Sequence, residues 1–435
     1  MIHTSLFLLI YIGGMLQSIS KHPALIFCVY QCVYFFYPQE RWWGAHLPDF
    51  SYSFVVACLL LTLTSVVGFS KQQKLNTLKN PIIKTLFIFL LCFAFAYTQA
   101  VFPESHLEQL EFFVKAFVII CCAYALLGSM TTLKWYLNGY IFGAFYLSFY
   151  TYQLGRNSGD RVTGIGVLDN LDSNFVAASL APAIILSLHF IFTEKKRFLQ
   201  LYYALACVFI SNALVLINSR GAMLGAAIGG AFYLYSIYKS KNVIKYPRFK
   251  ALGLVSVALA GGLFIADDSA LERFSSIFEE SAENVKVESG ATRTHFWIAA
   301  VDMSKDFPLG LGFRGFNAYS GSYIPEEVNT GRSRNRSVHS SWFEALSEVG
   351  YIGFIVLLYL VYLSVKLSNS AKNYFKVINA PNYFLLVISI QGALITTLVS
   401  MSFISRMRGE TFLWLLMFIA GLYEITNKRR QTDKS

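Results

Sequence analysis

The chain has 435 residues, of which 55% are hydrophobic and only 14% are Asp, Glu, Lys or Arg. Soluble domains carry about 25% charged residues and the mean hydropathy here is +0.50, which excludes a soluble enzyme and points to an all-α polytopic membrane protein. The net charge of +11 does not imply a nucleic-acid partner, because the lysines gather in short loops between apolar runs, the pattern of loops retained on the cytoplasmic side.

Apolar runs suited to a hydrocarbon core of about 30 Å fall at 4–18, 22–37, 51–68, 81–100, 110–128, 132–150, 173–191, 200–217, 221–238, 251–267, 350–367, 383–402 and 410–425. They predict about 12–13 transmembrane helices. The first run, Leu6–Leu16, lacks a basic leader and reads as a first span or half of a tight hairpin, not as a cleaved signal. The cysteines (Cys28, Cys32, Cys58, Cys92, Cys121, Cys122 and Cys207) all lie in apolar runs. They read as small buried hydrophobes, not as a disulfide framework or metal site.

Charge orients the set. Lys71, Lys74, Lys79, Lys195, Lys196, the 239–250 cluster, Lys366, Lys372, Lys376 and the 428–430 tail all fall on one side, the cytoplasm. Loops 151–172, 268–349 and 403–409 fall on the other. Residues 1–150 form an N-terminal transmembrane region, 151–367 a core containing the long 268–349 loop, and 368–435 the C-terminal transmembrane helices and cytoplasmic tail. Within the long loop, 268–290 is acidic and suits a short surface helix. Residues 292–307 suit a helix with Phe296, Ala299, Ala300 and Met303 as its apolar stripe. Pro308 ends it, 310–319 is a glycine-punctuated turn, and 338–348 is a helix leading into the next span.

The outer face is rich in arginine where an outer face is expected to be poor in it. Loop 151–172 holds Arg156 and Arg161, the long loop holds Arg293, Arg314, Arg332, Arg334 and Arg336, and loop 403–409 holds Arg406 and Arg408. Guanidinium groups suit bidentate phosphate recognition, whereas inner lysines need only supply topological charge. Arg220 stands between a long apolar run and the small-residue run GAMLGAAIGG. It either caps the membrane interface or binds a lipid-borne phosphate. Arg293 is either solvated among head groups or a second diphosphate contact, with Arg161 a weaker third. Arg314, flanked by Gly312 and Gly315, is placed for a turn to present it inward. Arg332, Arg334 and Arg336 read as a basic flap or an acceptor-contacting strip. His339 is a general base or an acceptor-orienting group, or else a hydrogen-bonding loop residue; His295 competes with it.

No metal-protease, nucleotide-sugar, P-loop or dinucleotide motif is present, and the spacing of Asp160, Asp169 and Asp172 specifies no metal. No cofactor is expected. The expectation is therefore an already activated donor, of which a glycan on a lipid diphosphate is the obvious class, since its leaving group needs charge stabilisation that arginines can supply.

The elements NSRGAMLGAAIGG (218–230), RVTGIGVLDNLDSNFVAASLAP (161–182), TRTHFWIAAVDMSKDFPLGLGFRGF (292–316) and VHSSWFEALSEVGYIGFIVLLYL (338–360) resemble the bacterial O-antigen ligase and polymerase superfamily. The likeness covers about 160–365, so that 151–367 becomes an O-antigen ligase-like core. PQERWWGAHLPDFSYS (38–53) looks like the protein O-glycosylation ligases associated with exosortase systems. The resemblance implies an undecaprenyl-diphosphate-linked glycan as donor and a protein or lipid A-core hydroxyl as acceptor. It implies metal-independent inversion at the anomeric carbon on the periplasmic side of the inner membrane. It carries catalytic roles to Arg220, Arg293 and His339. Ser340 and Ser341 stand after His339 where many members have asparagine. A polymerase of O-antigen or exopolysaccharide repeats is the near alternative. A transporter or lipid-linked glycan flippase is the alternative of another class, disfavoured because the spans hold few ionisable groups.

Overall fold

The computed structural model describes residues 2–69, 75–159, 161–240, 246, 249, 290–328, 330 and 333–432. The expected span at 251–267 and the acidic helix at 268–290, apart from residue 290, lie outside them. The described chain is helical throughout, with only isolated β-bridges at Ser158–Arg161 and Val167–Asn170.

Before the long loop the helices are α1 (Ile2–Ser20), α2 (Leu25–Phe36), α3 (Tyr52–Phe69), α4 (Pro81–Phe95) and α5 (Pro103–Leu126). Then come α6 (Met130–Leu154), α7 (Ser173–Thr193), α8 (Arg197–Ile217) and α9 (Arg220–Lys239). The loop contributes α10 (Gly290–Asp306) and α11 (Gly315–Tyr323). A long helix α12 (Ser341–Val377) follows, then α13 (Pro381–Met401) and α14 (Glu410–Thr432).

In an apolar medium the free N–H groups at a helix start must find partners within the protein. Here side chains supply them. Asn80 Oδ1 accepts from Ile82 and Ile83 N–H at the start of α4, with Pro81 at the first helical position. Ser129 caps α6 through Thr132 N–H, and Asp172 caps α7 through Phe175 N–H. At the other kind of end, the buried Arg41 guanidinium donates to the carbonyls of Phe35, Phe36 and Gly166, closing the C-terminus of α2.

Among the described residues, eight helices are long and apolar enough to cross a membrane: α1, α4 with its extension to Gln99, α5, α7, α8, α9, α12 and α13. Of the 12–13 helices expected, these eight meet that measure among the described residues, and the run at 251–267 lies outside them. Helix α2 has 12 residues, about 18 Å at 1.5 Å per residue, short of a hydrocarbon core of about 30 Å. The apolar part of α3 is also short, Tyr52–Val66. Helices α6 and α14 have the length but carry Tyr, Thr, Asn and charged residues. They sit inside the bundle, and α14 is wholly buried from Glu410 to Leu422. A helix packed against protein on all sides need not be soluble in lipid. Burial grades the spans in the same way: 83% of the apolar window of α13 is buried against 17% for α1.

Helix α9 packs against α13 at backbone distance. A Cβ on Gly225 would lie 2.5 Å from Thr396 O, and one on Gly229 would lie 2.6 Å from Gly392 O. Small residues permit such contact between membrane helices, and here it fixes the axis whose first residue is Arg220.

The two ends of the bundle differ. At one end Lys134 and Arg429 flank the Tyr383 ring at 5.5 and 5.1 Å, Arg430 bonds Ser370, and Asn80 bonds Ala420 O. At the other, Val162 N–H bonds Leu216 O, Val101 N–H bonds Leu311 O and Ser341 bonds Ile404 O. That second end gathers loops 155–172, 307–340 and 402–409.

Gly229→Ala is expected to destabilise the protein by about 1–3 kcal/mol, because backbone must move to admit the methyl group. Its neighbour Gly230, whose Cβ would meet only Ile185 Cδ1 at 3.8 Å, is expected to accept alanine with no loss or a gain of up to about 1 kcal/mol. Thermal unfolding of the two purified variants checks the contrast.

Candidate functional site

The expected stripe on 292–307 is the buried face of α10: Phe296 is 2% exposed, and Ala299, Ala300 and Met303 are fully buried. The helix stops at Asp306, two residues before Pro308. The expected turn over 310–319 is shorter than the sequence implies, because α11 starts at Gly315. Helix α12 starts at Ser341, not at 338, because His339 has φ +50 and cannot join it.

The segment 308–312 is laid antiparallel to the start of α12. Leu311 N–H donates to Ser347 O, Gly312 N–H to Glu348 O and Tyr351 N–H to Pro308 O, each at 3.0 Å. Helix α12 loosens there into a π-helical turn, Ala345–Val349, which frees carbonyls for these bonds. Gly310 and Gly350 have φ +83 and +76, and a Cβ on either would lie about 2.5 Å or less from the facing backbone. Only glycine fits both demands. Buried His106 on α5 fixes the next residues: its Nδ1 accepts Phe313 N–H at 2.9 Å while Nε2 pairs with Phe93 O at 3.0 Å. These partners assign the neutral tautomer protonated at Nε2.

This junction borders a cavity of about 610 Å³. Four arginines line it: Arg314, Arg336, Arg406 and Arg408. Three carboxylates face them: Asp169, Glu344 and Glu348. Phe112, Phe175, Phe313 and Phe316 and the amides of Gln109, Asn170, Asn317 and Asn335 complete the wall.

Arg408, 7% exposed, lies between the Phe93 and Phe313 rings, 4.5 and 4.8 Å from their centroids, and pairs with Glu344 at 3.4 Å. Its Nη1 has no protein partner. Arg406 lies over Phe175 at 4.4 Å and donates to Ser179 Oγ, Thr411 Oγ1 and Phe175 O. Ser341 ties this loop to α12, accepting Arg406 N–H and donating to Ile404 O. Asp169 accepts Tyr34 O–H at 2.7 Å and Glu410 N–H at 2.9 Å. Removal from bulk water pushes its carboxyl above the ordinary value, against the pull of those two donors and of Arg406.

The structure sorts the expected site residues into groups. Arg314 and Arg336 reach the cavity. Arg314 has φ +61 and its N–H donates to Glu348 Oε1 at 2.8 Å. Arg336 lies over the Phe296 ring at 4.4 Å, three residues from Arg293 on α10. Arg220 and Arg293 do not line the cavity, and their neighbours are joined through Phe403. Gly221 lies against Phe403, whose ring is 6.5 Å from Trp297, one turn from Arg293. Arg161 joins the same region, since Val162 N–H bonds Leu216 O just before Arg220. His339 contacts Ser337 Oγ at 3.2 Å, next to the cavity-lining Val338. Arg334 does not line the cavity; its guanidinium donates to the carbonyls of Ile324, Pro325, Glu326 and Val328 and braces that turn. Arg332 and Asp160 lie outside the described residues. Arg406, Arg408, Glu344, Glu348 and His106 were not among the expected site residues. The two arginines in ISRMRGE carried a signal; the histidine, in PESHLEQ, carried none. Among the described residues no group of three or more His, Cys, Asp or Glu is arranged to hold a metal.

The O-antigen ligase family model matches residues 205–358. The match takes in Arg220, Arg293, Arg314, Arg336, His339, Glu344 and Glu348, and supports the broad ligase and polymerase superfamily for this part of the chain. With it comes support for an enzyme of ligase or polymerase type. Residues 38–53, which carry the likeness to the exosortase-associated group, lie outside the matched window. No curated protein matches the chain.

Removing Arg408 alone would leave Glu344, 4% exposed, as a buried unpaired charge. Arg408→Ala is therefore expected to cost about 3–5 kcal/mol, while Arg408→Met with Glu344→Leu recovers most of it. Thermal unfolding of the single and double variants measures both.

Proposed function

We propose that the protein transfers a preassembled glycan from an undecaprenyl diphosphate carrier to a hydroxyl acceptor at the outer face of the inner membrane. The observation that carries this reading is the cavity of about 610 Å³, walled by arginines and aromatic rings, at one end of a bundle of apolar helices. A donor with a lipid tail, a diphosphate and a sugar chain makes three demands. The tail needs lipid-facing helices, the diphosphate needs guanidinium groups, and the glycan needs a wet pocket with amides and aromatic faces.

Arg220 and Arg293 hold the diphosphate, with Arg161 assisting, and stabilise it as it leaves. Arg314 and Arg336 extend the positive surface toward the sugar. His339 orients the acceptor hydroxyl for displacement with inversion. The charge rule, applied to the lysine-bearing loops of the sequence and to the end that carries Lys134, Arg429 and Arg430, supports a cytoplasmic face there and a cavity on the periplasmic side. Arginines supply the positive charge, so the transfer needs no divalent ion. The acceptor is a protein hydroxyl, as in the exosortase-associated group, or lipid A-core.

One observation favours a polymerase as second reading. The cavity arginines 314, 336, 406 and 408 are additional to the Arg220 and Arg293 region, and a polymerase holds two diphosphates at once.

Proteoliposomes supplied with undecaprenyl-diphosphate glycan and separate protein, lipid A-core and lipid-linked acceptors test the reading. Transfer to protein or lipid A-core is expected, and Arg220→Ala and Arg293→Ala are each expected to lower it on the order of 10²–10³-fold. Longer lipid-linked chains would instead establish the polymerase. Glycan crossing the bilayer with no new bond would replace both by transport. A chelator such as EDTA is expected to leave the initial rate unchanged; loss of rate restored by a divalent ion would contradict the arginine-only leaving-group account.

A further inference from the structure

The three carboxylates of the cavity wall differ in whether each oxygen has a protein partner. Asp169 has both occupied, one by Tyr34 O–H and one by Glu410 N–H. Glu344 also has both occupied, Oε1 by Arg408 and Oε2 by Met407 N–H. Glu348 differs. Its Oε1 accepts Arg314 N–H at 2.8 Å, and its Oε2 has no protein partner. The residue is 5% exposed and lines the cavity. A buried carboxylate oxygen without a donor is costly to the fold, so its retention at the wall of a cavity marks it for a ligand's proton. The other oxygen is fixed from a backbone that cannot drift, because Glu348 O also receives Gly312 N–H and Gly350 locks the next turn. One oxygen anchored and one buried without a protein donor, on a residue of the cavity wall, is the geometry of a positioned base.

We propose that Glu348 is the catalytic residue that receives the acceptor's proton, an assignment that rests on the transferase reading above. The acceptor hydroxyl donates to Glu348 Oε2. As its oxygen bonds to the anomeric carbon, its proton moves to Oε2. The bond from the anomeric carbon to the phosphate oxygen breaks, and its electron pair leaves on the carrier diphosphate. The products are an inverted glycoside and undecaprenyl diphosphate, and the protonated carboxyl returns its proton to water in the cavity. Glu344 is one helical turn earlier, and its pairing with Arg408 keeps its charge from adding fully to that of Glu348. Arg314 serves twice: its backbone fixes the base and its side chain lines the same cavity. His339 orients the acceptor and need not hold its proton.

The test is Glu348→Gln in proteoliposomes where the wild type transfers glycan. The amide keeps the shape and still accepts Arg314 N–H, so the melting temperature and the donor KM are expected to stay near wild type. The turnover number is expected to fall on the order of 10²–10⁴-fold, the contribution of a positioned base. Wild-type kcat is expected to fall toward acid pH as the base is protonated, and that fall is expected to vanish in the variant. The charged groups facing position 348, Glu344, Arg314, Arg408 and Asp169, are unchanged in it, so a lost limb belongs to Glu348. Glu348→Asp keeps the charge but withdraws it by one methylene, and is expected to retain more turnover than Glu348→Gln. Turnover of Glu348→Gln close to wild type would overturn the assignment. A joint loss of melting temperature and donor affinity would also overturn it, making Glu348 only a brace for Arg314. A wild type that transfers nothing would sink the transferase reading, and this assignment with it.

Discussion

Gly310 and Gly350 meet backbone to backbone, and neither position has room for a side chain. This contact joins a turn of the long loop to the start of a membrane helix, and the cavity wall depends on it. Hydrogen bonds from Leu311, Gly312 and Tyr351 run across the contact. They hold Phe313 and Arg314 on one side and Glu344 and Glu348 on the other. Arg314 and His339 keep left-handed φ angles, which cost a residue other than glycine about 1–3 kcal/mol each. Such conformations persist only where neighbouring bonds over-determine them. At Arg314 those bonds are visible: Glu348 holds its N–H and His106 holds that of Phe313.

The charges of the cavity gain strength from the same construction. Arg406 and Arg408 are 2% and 7% exposed, so their fields are screened less than those of surface arginines. Each lies against aromatic rings that fix its plane and exclude water. Glu344 offsets one of them. The remaining guanidinium capacity, with Arg314 and Arg336, is held ready before any ligand arrives. Preorganised charge of this kind stabilises a leaving anion without reorganisation during the reaction.

Local patterns in the sequence were enough for α10, because a buried stripe at helical spacing and a following proline are written within seventeen residues, 292–308. The arginine-rich end was legible too, since arginine and lysine separate by loop. The π turn in α12 was not legible, because it exists to meet bonds from a segment more than thirty residues earlier. Nor was the start of α11: GLGFRGFNAY reads as a turn until His106 and Glu348 pin its first half. Arg408 and Glu344 are 64 residues apart and Asp169 and Glu410 are 241 apart, so no spacing rule pairs them. Apolar composition does not tell a lipid-facing helix from one enclosed by others, as α14 is, so the sequence could not grade the spans by their exposure to lipid.

The central claim is that the donor's diphosphate sits at the arginine-rich end with its glycan in the cavity. A cryo-electron microscopy structure in lipid nanodiscs with undecaprenyl-diphosphate glycan bound tests it most directly. The account predicts phosphate density within hydrogen-bonding distance of Arg220 and Arg293, and sugar density against the cavity walled by Arg314, Arg336 and Glu348. Diphosphate at the opposite end, beside Lys134 and Arg429, or a cavity that stays empty while the donor binds elsewhere, would contradict it.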